Sequence, residues 1–434
     1  MANSSTKKSR LIAKTVIILV VTILFVTSLF FANQIEHLLG INSLTENKVS
    51  SKIINSEPFS LHYIDVGQAD CSLIVLPDGK KMLIDAGDRT IESKNKVKEY
   101  LKNKNITIID YLVLTHSDSD HAGGMKMVLD EFEVKNIFRP FQIASNSDGS
   151  LYNGDPLSLY VENLPADAPN IEYNKVTTQT YRDFIDSAYN ETYTDGESNK
   201  SAVVMTNYDG YEIVSSNYSI SWFAPSLIEG YKNPIGYKGS NSEGYMTKYY
   251  KDANDYSPII SINYKNDNFV FTGDAESMAE KDFVASFSKR QDNDKNKIIN
   301  CAVYKAGHHG SKTSSTTDFI QILNPKIVVI SVGAGNSYNH PSPELINRLY
   351  QTKCWTEKYN RIYRTDKNGT IIISKNDSDI MIALENDKHS VFNAVKWWQI
   401  GLGIYAVIVI SVVFIKGNVT IKKTAKIIKQ AGSK

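Results

Sequence analysis

The chain has 434 residues, enough for two or three domains or for one large domain with extensions. Its 48 Lys and Arg nearly balance 47 Asp and Glu, but residues 1–35 hold four basic residues and no acid, residues 391–434 hold seven and no acid, and every acid falls in 36–390. So acidic a middle leaves no broad basic surface for non-specific nucleic-acid binding, and three scattered cysteines (Cys71, Cys301 and Cys354) exclude a disulfide framework or a cysteine zinc site.

In chain order, residues 16–32 form a charge-free apolar run. With residues 11–15 ahead of it and Lys14 able to snorkel, it reaches the roughly 20 residues that a bilayer needs. It is longer than the apolar region of an ordinary signal peptide. Residues 1–35 therefore read as a cytoplasmic tail and transmembrane helix, and 36–57, polar with Asn, Ser and Lys, as a linker. Strands are predicted from Phe59 to the turn Pro77-Asp78-Gly79-Lys80 and over 82–85, with a helix over 94–104.

The apolar run 108–114 then leads into Thr115-His116-Ser117-Asp118-Ser119-Asp120-His121-Ala122-Gly123-Gly124. A lone His-x-Asp would be an ordinary polar turn. Two imidazoles and two carboxylates within six residues, at the end of a strand, are instead a ligand set suited to zinc, manganese or iron. A helix is predicted over 125–132.

The stretch 141–256 is rich in Asn, Ser, Tyr, Asp and Gly and reads as a loop-rich insertion, with two short runs, 202–205 and 218–223, completing the sheets. Its closely spaced Tyr231, Tyr237, Tyr245, Tyr249 and Tyr250 read as surface decoration rather than a substrate rim. Three further apolar runs end in chemistry-bearing residues. Phe269-Val270-Phe271 precedes Thr272-Gly273-Asp274, residues 301–306 precede Gly307-His308-His309-Gly310-Ser311, and 326–331 precede Asn336-Ser337-Tyr338-Asn339-His340-Pro341. Five of the eight histidines thus lie at strand ends, and His37, His62 and His389 read as bystanders. Cys71 and Cys301, inside apolar runs, read as buried thiols.

Residues 400–415 are apolar apart from Tyr405 and Ser411, and Trp397 and Trp398 stand before them as an interfacial anchor would. This gives a second transmembrane helix over 397–415 and a basic tail over 416–434. Lysine and arginine on the outer flanks of both spans put both termini in the cytoplasm and the middle outside the cell membrane.

The pattern His116-x-Asp118-x-Asp120-His121, then Gly273-Asp274, then His308-His309-Gly310-Ser311 resembles the metallo-β-lactamase fold. More narrowly, it is similar to the hydrolase domain of the ComEC/Rec2-type competence proteins, the DNA-uptake channels. The resemblance begins at His62-Tyr63-Ile64-Asp65-Val66-Gly67-Gln68-Ala69-Asp70, where the family usually has Gly in place of Ala69. It continues through Leu83-Ile84-Asp85-Ala86-Gly87 and Thr272-Gly273-Asp274-Ala275-Glu276 to Tyr363-Arg364-Thr365-Asp366, covering roughly residues 58–375.

The resemblance implies an α/β fold, a four-layer αββα sandwich over 58–385, flanked here by the two transmembrane helices. It implies metal ligands at His116, Asp118, Asp120, His121, Asp274, His308 and His309. Asp118 replaces the second histidine of the common superfamily loop, and no histidine lies between His121 and His308. One metal position, with His116 and Asp118, is therefore short of ligands. The other keeps Asp120, His121, Asp274 as the bridging carboxylate and one of the His308/His309 pair. The cofactor is a divalent metal, Zn²⁺ or Mn²⁺, the carboxylate-rich second site favouring the harder ion.

Gln68, Asp70 and Asp85 are implied as groups supporting the ligands. Lys305 is assigned to charge developing on a phosphoryl oxygen, His340 to the leaving oxygen or a phosphate, and Ser311, Ser314 and Asn336 to substrate hydrogen bonds. The function so implied is metal-dependent phosphodiester hydrolysis by an activated hydroxide outside the cell, with DNA as the suggested substrate. An envelope phosphoesterase acting on phosphocholine-bearing or teichoic-acid-type polymers is the alternative, and a non-catalytic metal-binding sensor the third reading. The chain lacks the many spans of a competence channel.

Overall fold

Alternation along the strands sorts side chains into separate apolar layers, because successive residues of a strand point to opposite faces. The computed structural model describes residues 57–163, 172–228, 247–350, 362–377 and 379–385. Six strands come first: β1 (Ser60–Tyr63), β2 (Ser72–Val75), β3 (Lys81–Ile84), β4 (Ile108–Val113), β5 (Glu133–Arg139) and β6 (Val203–Thr206). Seven follow: β7 (Glu212–Val214), β8 (Tyr218–Trp222), β9 (Ile260–Tyr264), β10 (Asp267–Phe271), β11 (Val303–Lys305), β12 (Ile327–Ile330) and β13 (Ile362–Arg364). The last two, β14 (Ile371–Lys375) and β15 (Ile380–Leu384), return to the first sheet.

The first sheet has the order β6-β5-β4-β3-β2-β1-β14-β15 and the second β7-β8-β9-β10-β11-β12-β13. Leu61, Tyr63, Met82 and Ile84 of the first sheet share one core with Ile260, Ile262, Phe269, Phe271, Ile327 and Val329 of the second. The alternate residues point outward. Leu83, Ile109 and Leu112 pack with residues of α1 (Ile91–Asn103), α2 (Met125–Glu131) and α3 (Gln179–Asn190). Val270, Val328 and Ile330 pack with residues of α4 (Ser277–Phe287), α5 (Thr317–Leu323) and α6 (Pro343–Tyr350). The layers are therefore helix, sheet, sheet, helix, as the resemblance implied.

Strands β3 to β6 run parallel, and so do β10 to β13. The chemistry-bearing residues follow the carboxyl ends of parallel strands in both sheets, the usual place for a site in an open parallel sheet. Two glycines let the rim close. A Cβ on Gly123 would lie 2.1 Å from the Arg89 backbone nitrogen, and one on Gly124 2.1 Å from the Ala86 carbonyl oxygen.

The insertion is less loop-like than its composition. Runs 202–205 and 218–223 do join the two sheets, as β6 and β8. Between them and β5 lie the helix Pro156–Glu162, α3, a parallel pair of short strands (Gln142–Ala144 with Asn174–Val176) and a hairpin of Thr192–Asp195 with Ser198–Ser201. Cys71 and Cys301 are buried. Both spans, the linker except Glu57, Cys354, His37, His389, Tyr231, Tyr237 and Tyr245 lie outside the described residues, among which no helix is long and apolar enough to cross a membrane.

The insertion is fastened by an ion pair with no solvent exposure. Arg139, at the end of β5, meets both carboxylate oxygens of Asp155 at 2.6 and 2.9 Å and also donates to the Gln142 carbonyl and to the Tyr181 and Tyr189 hydroxyls. Asp155 in turn accepts from the backbone of Ala144 and Leu157, the latter capping Pro156–Glu162. Removing one partner leaves a buried charge alone, which typically costs about 3–5 kcal/mol. Arg139→Met is expected to lower unfolding stability by about that amount in denaturant titration; a loss below about 1 kcal/mol, the range of an exposed pair, would contradict this reading of the pair.

Candidate metal centre

Asp85 ends β3 in a left-handed conformation (φ 59°), a strained backbone that persists only when its surroundings hold it. Here its carboxylate supplies the hold. One oxygen accepts the Thr115 backbone N–H at 2.9 Å, and the other accepts the Thr115 hydroxyl at 2.8 Å and His121 Nδ1 at 2.7 Å. With Nδ1 so engaged, His121 turns Nε2 inward. That atom is buried without a hydrogen-bond partner, 3.2 Å from Asp274 Oδ1, itself a buried oxygen without one.

His308 and His309 are also left-handed, at φ 47° and 49°. The two strained residues turn their rings to different tasks. His309 Nδ1 donates to the Ser331 carbonyl at 2.9 Å, leaving Nε2 at 3.2 Å from Asp120 Oδ2 and 3.5 Å from Asp274 Oδ2. His308 Nδ1 meets Glu276 Oε1 at 2.7 Å, and its Nε2 stands 3.8 Å from Asp274 Oδ2. Asp70, His121, Asp274 and His309 each offer a ligand atom within 4.8 Å of the other three, and all four are buried.

Two expectations change here. Asp70, read as a supporting group, stands inside this group of four, because the β1–β2 loop carries it under His121. Lys305, read as facing a phosphoryl oxygen, is 3% exposed and pairs with the Asp70 carboxylate while donating to the Gly273 and Ala306 carbonyls. Its charge is used inside the protein.

The other ligand candidates surround the group. His116 is fully buried and its ring centre lies 4.2 Å from that of His121. Its Nδ1 is 3.1 Å from the Thr115 hydroxyl and 3.3 Å from that of Ser257, and Nε2 is buried without a hydrogen bond, 3.8 Å from Asp118 Oδ2. Asp118 is half exposed, and Asp120 faces a cleft of about 1150 Å³ together with Asp274, His308, His309 and His340.

The charges interlock. Burial opposes the charge on His121, but Asp274 and Asp85 outweigh it and hold the imidazole well above its usual range. Burial opposes His309 too, and Asp274 and Asp70 bring it to about 8. Burial would raise the Asp274 carboxyl, but His121 and His309 keep it well below the usual range. His116, with burial and the neighbouring His121 both against its charge, falls to about 4. Imidazoles that release their protons when an ion takes over the charge balance, beside ionised carboxylates and with His116 Nε2, His121 Nε2 and Asp274 Oδ1 buried and unpartnered, form a donor set that fits a divalent metal.

Of the residues expected at the substrate, His340 lines the cleft with Nδ1 buried and unpartnered, and burial, then His308 and His309, lower it to about 4. Asn336 lines a neighbouring cavity but spends its side chain on its own loop. Its amide donates to the Gly333 and His340 carbonyls and its oxygen accepts the Tyr338 and His340 N–H groups, so it holds the loop together. Ser314 is buried and donates to the Gly307 carbonyl at 2.7 Å, bracing the histidine turn. The Ser311 hydroxyl pairs with Thr313 at 2.8 Å. Gln68 lines the cleft and accepts the Gly333 N–H at 2.9 Å.

Reading the sequence missed Thr115, Ser257, Ser331 and Glu276 as groups that orient imidazoles. Glu276 stood within a quoted motif. Ser257 has no signal in the sequence.

The model of the metallo-beta-lactamase superfamily matches residues 64–165. ComE operon protein 3 of Bacillus subtilis is 25% identical over 323 residues, covering 71% of this chain and 32% of that protein. Recombination protein 2 of Haemophilus influenzae is 21% identical over 309 residues, covering 70% of this chain and 28% of that one. The metallo-β-lactamase-fold protein YhfI of Bacillus subtilis, at 8% identity and a TM-score of 0.33, covers 70% of this chain and 95% of its own. The layers, the strand-end site and the family match together define a metallo-β-lactamase fold, a hydrolase fold. The chain is similar to ComEC-type proteins and spans about a third of the length of the two curated relatives.

Because Asp85 fixes the tautomer and direction of His121, Asp85→Asn is expected to weaken metal binding about 10- to 100-fold, the usual effect of losing such a partner. Equilibrium dialysis against Zn²⁺ or Mn²⁺ reads this directly, and unchanged affinity would sink the role given to Asp85.

Proposed function

We propose that this chain is a metal-dependent phosphodiesterase whose ligands are His121, Asp274, His309 and Asp120, with Asp70 within reach and His116 and His308 available to a second, weaker ion. The observation that carries the reading is a buried group of ligand atoms, several of them unpartnered, that reaches an open cleft through Asp274 and His309. A divalent ion held there would lower the pKa of a water and polarise the scissile ester. The chain's own residues do the rest. Asp85, Glu276 and the Ser331 carbonyl fix the ring directions, Asp120 lies at the cleft face of the group, and His340, neutral at ordinary pH, can give an N–H to a phosphoryl oxygen.

In this reading the two apolar segments, 16–32 and 400–415, anchor the domain outside the cell with both tails inside. DNA, suggested by the ComEC-like relatives, is the first substrate to test. A second reading is favoured by a specific feature: Asp88, Glu92 and Asp118 line the same cleft. Carboxylates on the wall suit a phosphodiester polymer that carries ammonium groups, as choline-bearing or alanylated envelope polymers do.

The test uses the purified full-length chain, stripped of metal and then given Mn²⁺ or Zn²⁺, with bis(p-nitrophenyl) phosphate and linear DNA as substrates. Metal-dependent cleavage of both is expected, falling at least about 100-fold in Asp274→Ala, the order of loss when charge stabilisation at a reacting centre is removed. Cleavage of the small ester alone would move the assignment to the envelope polymer. Silence on both with metal bound would leave the sensor reading.

A further inference from the structure

The large cleft does not end at the metal centre. A second cavity of about 710 Å³ adjoins it, and the two share Tyr338 and His340 as lining residues. These two residues form a ridge between the cavities. Their rings stack at 5.7 Å with planes 29° apart, and the His340 ring lies 5.5 Å from that of His308, so the ridge runs back to the metal centre.

Tyr338 is the unexplained member. Its side chain is 67% exposed, unusual for a large aromatic ring, and its hydroxyl makes no hydrogen bond among the described residues. The loop beneath it is not loose. Asn336 accepts the backbone N–H of Tyr338 and of His340 and donates to two carbonyls, so the ring is held out on a pinned backbone.

Each cavity also carries one cation that makes no side-chain hydrogen bond or ion pair among the described residues. In the first it is Arg89, whereas Lys96 there pairs with Glu92. In the second it is Lys312, whereas Arg364 there is paired with Asp366. Carboxylates line both cavities as well, Asp88, Glu92 and Asp118 in the first and Glu344 and Asp366 in the second, so Arg89 and Lys312 are the cations left to meet phosphate. An exposed ring shared by two cavities, each with such a cation, matches the elements by which proteins hold a single nucleic-acid strand, bases on aromatic faces and phosphates on positive charge.

We propose that Tyr338 is a substrate platform. A single-stranded phosphodiester chain crosses the ridge, lays a flat ring on Tyr338, and sets phosphates on either side within reach of Arg89 and Lys312. That the bond beside the ridge is the one hydrolysed rests on the function proposed above; the binding of the strand does not. A polyol-phosphate polymer has no ring for Tyr338, so the platform favours nucleotide units.

The test is binding of a fluorescein-labelled, phosphorothioate-linked oligothymidylate to the metal-loaded full-length chain, followed by anisotropy and compared in Tyr338→Ala and Tyr338→Phe. Tyr338→Ala is expected to weaken binding about tenfold, within the range found when a stacking ring is removed. Tyr338→Phe keeps the ring and is expected to stay within about twofold of wild type by the same stacking argument. Equal affinity in all three chains overturns the platform, and so does a Phe variant as weak as the Ala variant. Competition by poly(glycerol phosphate) as strong as by unlabelled oligothymidylate also overturns it, in favour of a ring-free polymer. A wild type that binds through Tyr338 but fails to hydrolyse bis(p-nitrophenyl) phosphate would contradict the hydrolase reading and leave the platform standing.

Discussion

Burying carboxylates without compensation is the constraint around which this protein is arranged. Asp70, Asp85 and Asp274 meet around His121 with almost no exposure, and Lys305 is the cationic side chain buried among them. A lone ion in such surroundings is costly and is tolerated only when paired or bound to metal. The group satisfies part of this need by keeping His121 and His309 protonated. A divalent ion would supply the same charge and release those protons, which is how metal affinity becomes tied to proton affinity.

Much of the surrounding structure serves to keep that group together. Parallel strands in two sheets bring their carboxyl ends to one rim, so residues far apart in sequence arrive at the same place. The backbone accepts left-handed conformations at Asp85, His308 and His309, each costing on the order of 1–3 kcal/mol. The support extends outward. The Gln142 side chain accepts the Ser117 N–H at 3.0 Å, and the Gln142 carbonyl is held by Arg139 at 2.6 Å, so the buried pair that fastens the insertion also braces the loop bearing His116 and Asp118.

The layers and the strand-end ligands were legible in the sequence because both rest on local patterns. Ile327-Val328-Val329-Ile330 reads as a strand buried on both faces, and His116 to His121 concentrates ligands in one short loop. What could not be read depends on which side chains meet across the fold. Lys305 looked like a substrate contact until Asp70 was found against it, and Asn336 and Ser314 turned out to spend their hydrogen bonds on their own loops. Helix α3 was a different failure. Tyr181, Phe184, Ile185, Ala188 and Tyr189 have helical spacing, but a surrounding stretch full of Asn, Ser, Tyr and Asp hides the stripe. Tyr338, in the same motif as His340, has meaning only once two cavities share it as a wall.

The central claim is that the buried group of Asp70, His121, Asp274 and His309 exists to hold a metal ion. The most direct measurement is anomalous X-ray diffraction from crystals of the full-length chain, recorded on both sides of the zinc and manganese absorption edges. The account predicts an anomalous peak enclosed by His121, Asp274 and His309, with any second peak weaker and displaced toward His116 or His308. An ordered chain with these side chains in place and no such peak, after exposure to saturating Zn²⁺ and Mn²⁺, would contradict it.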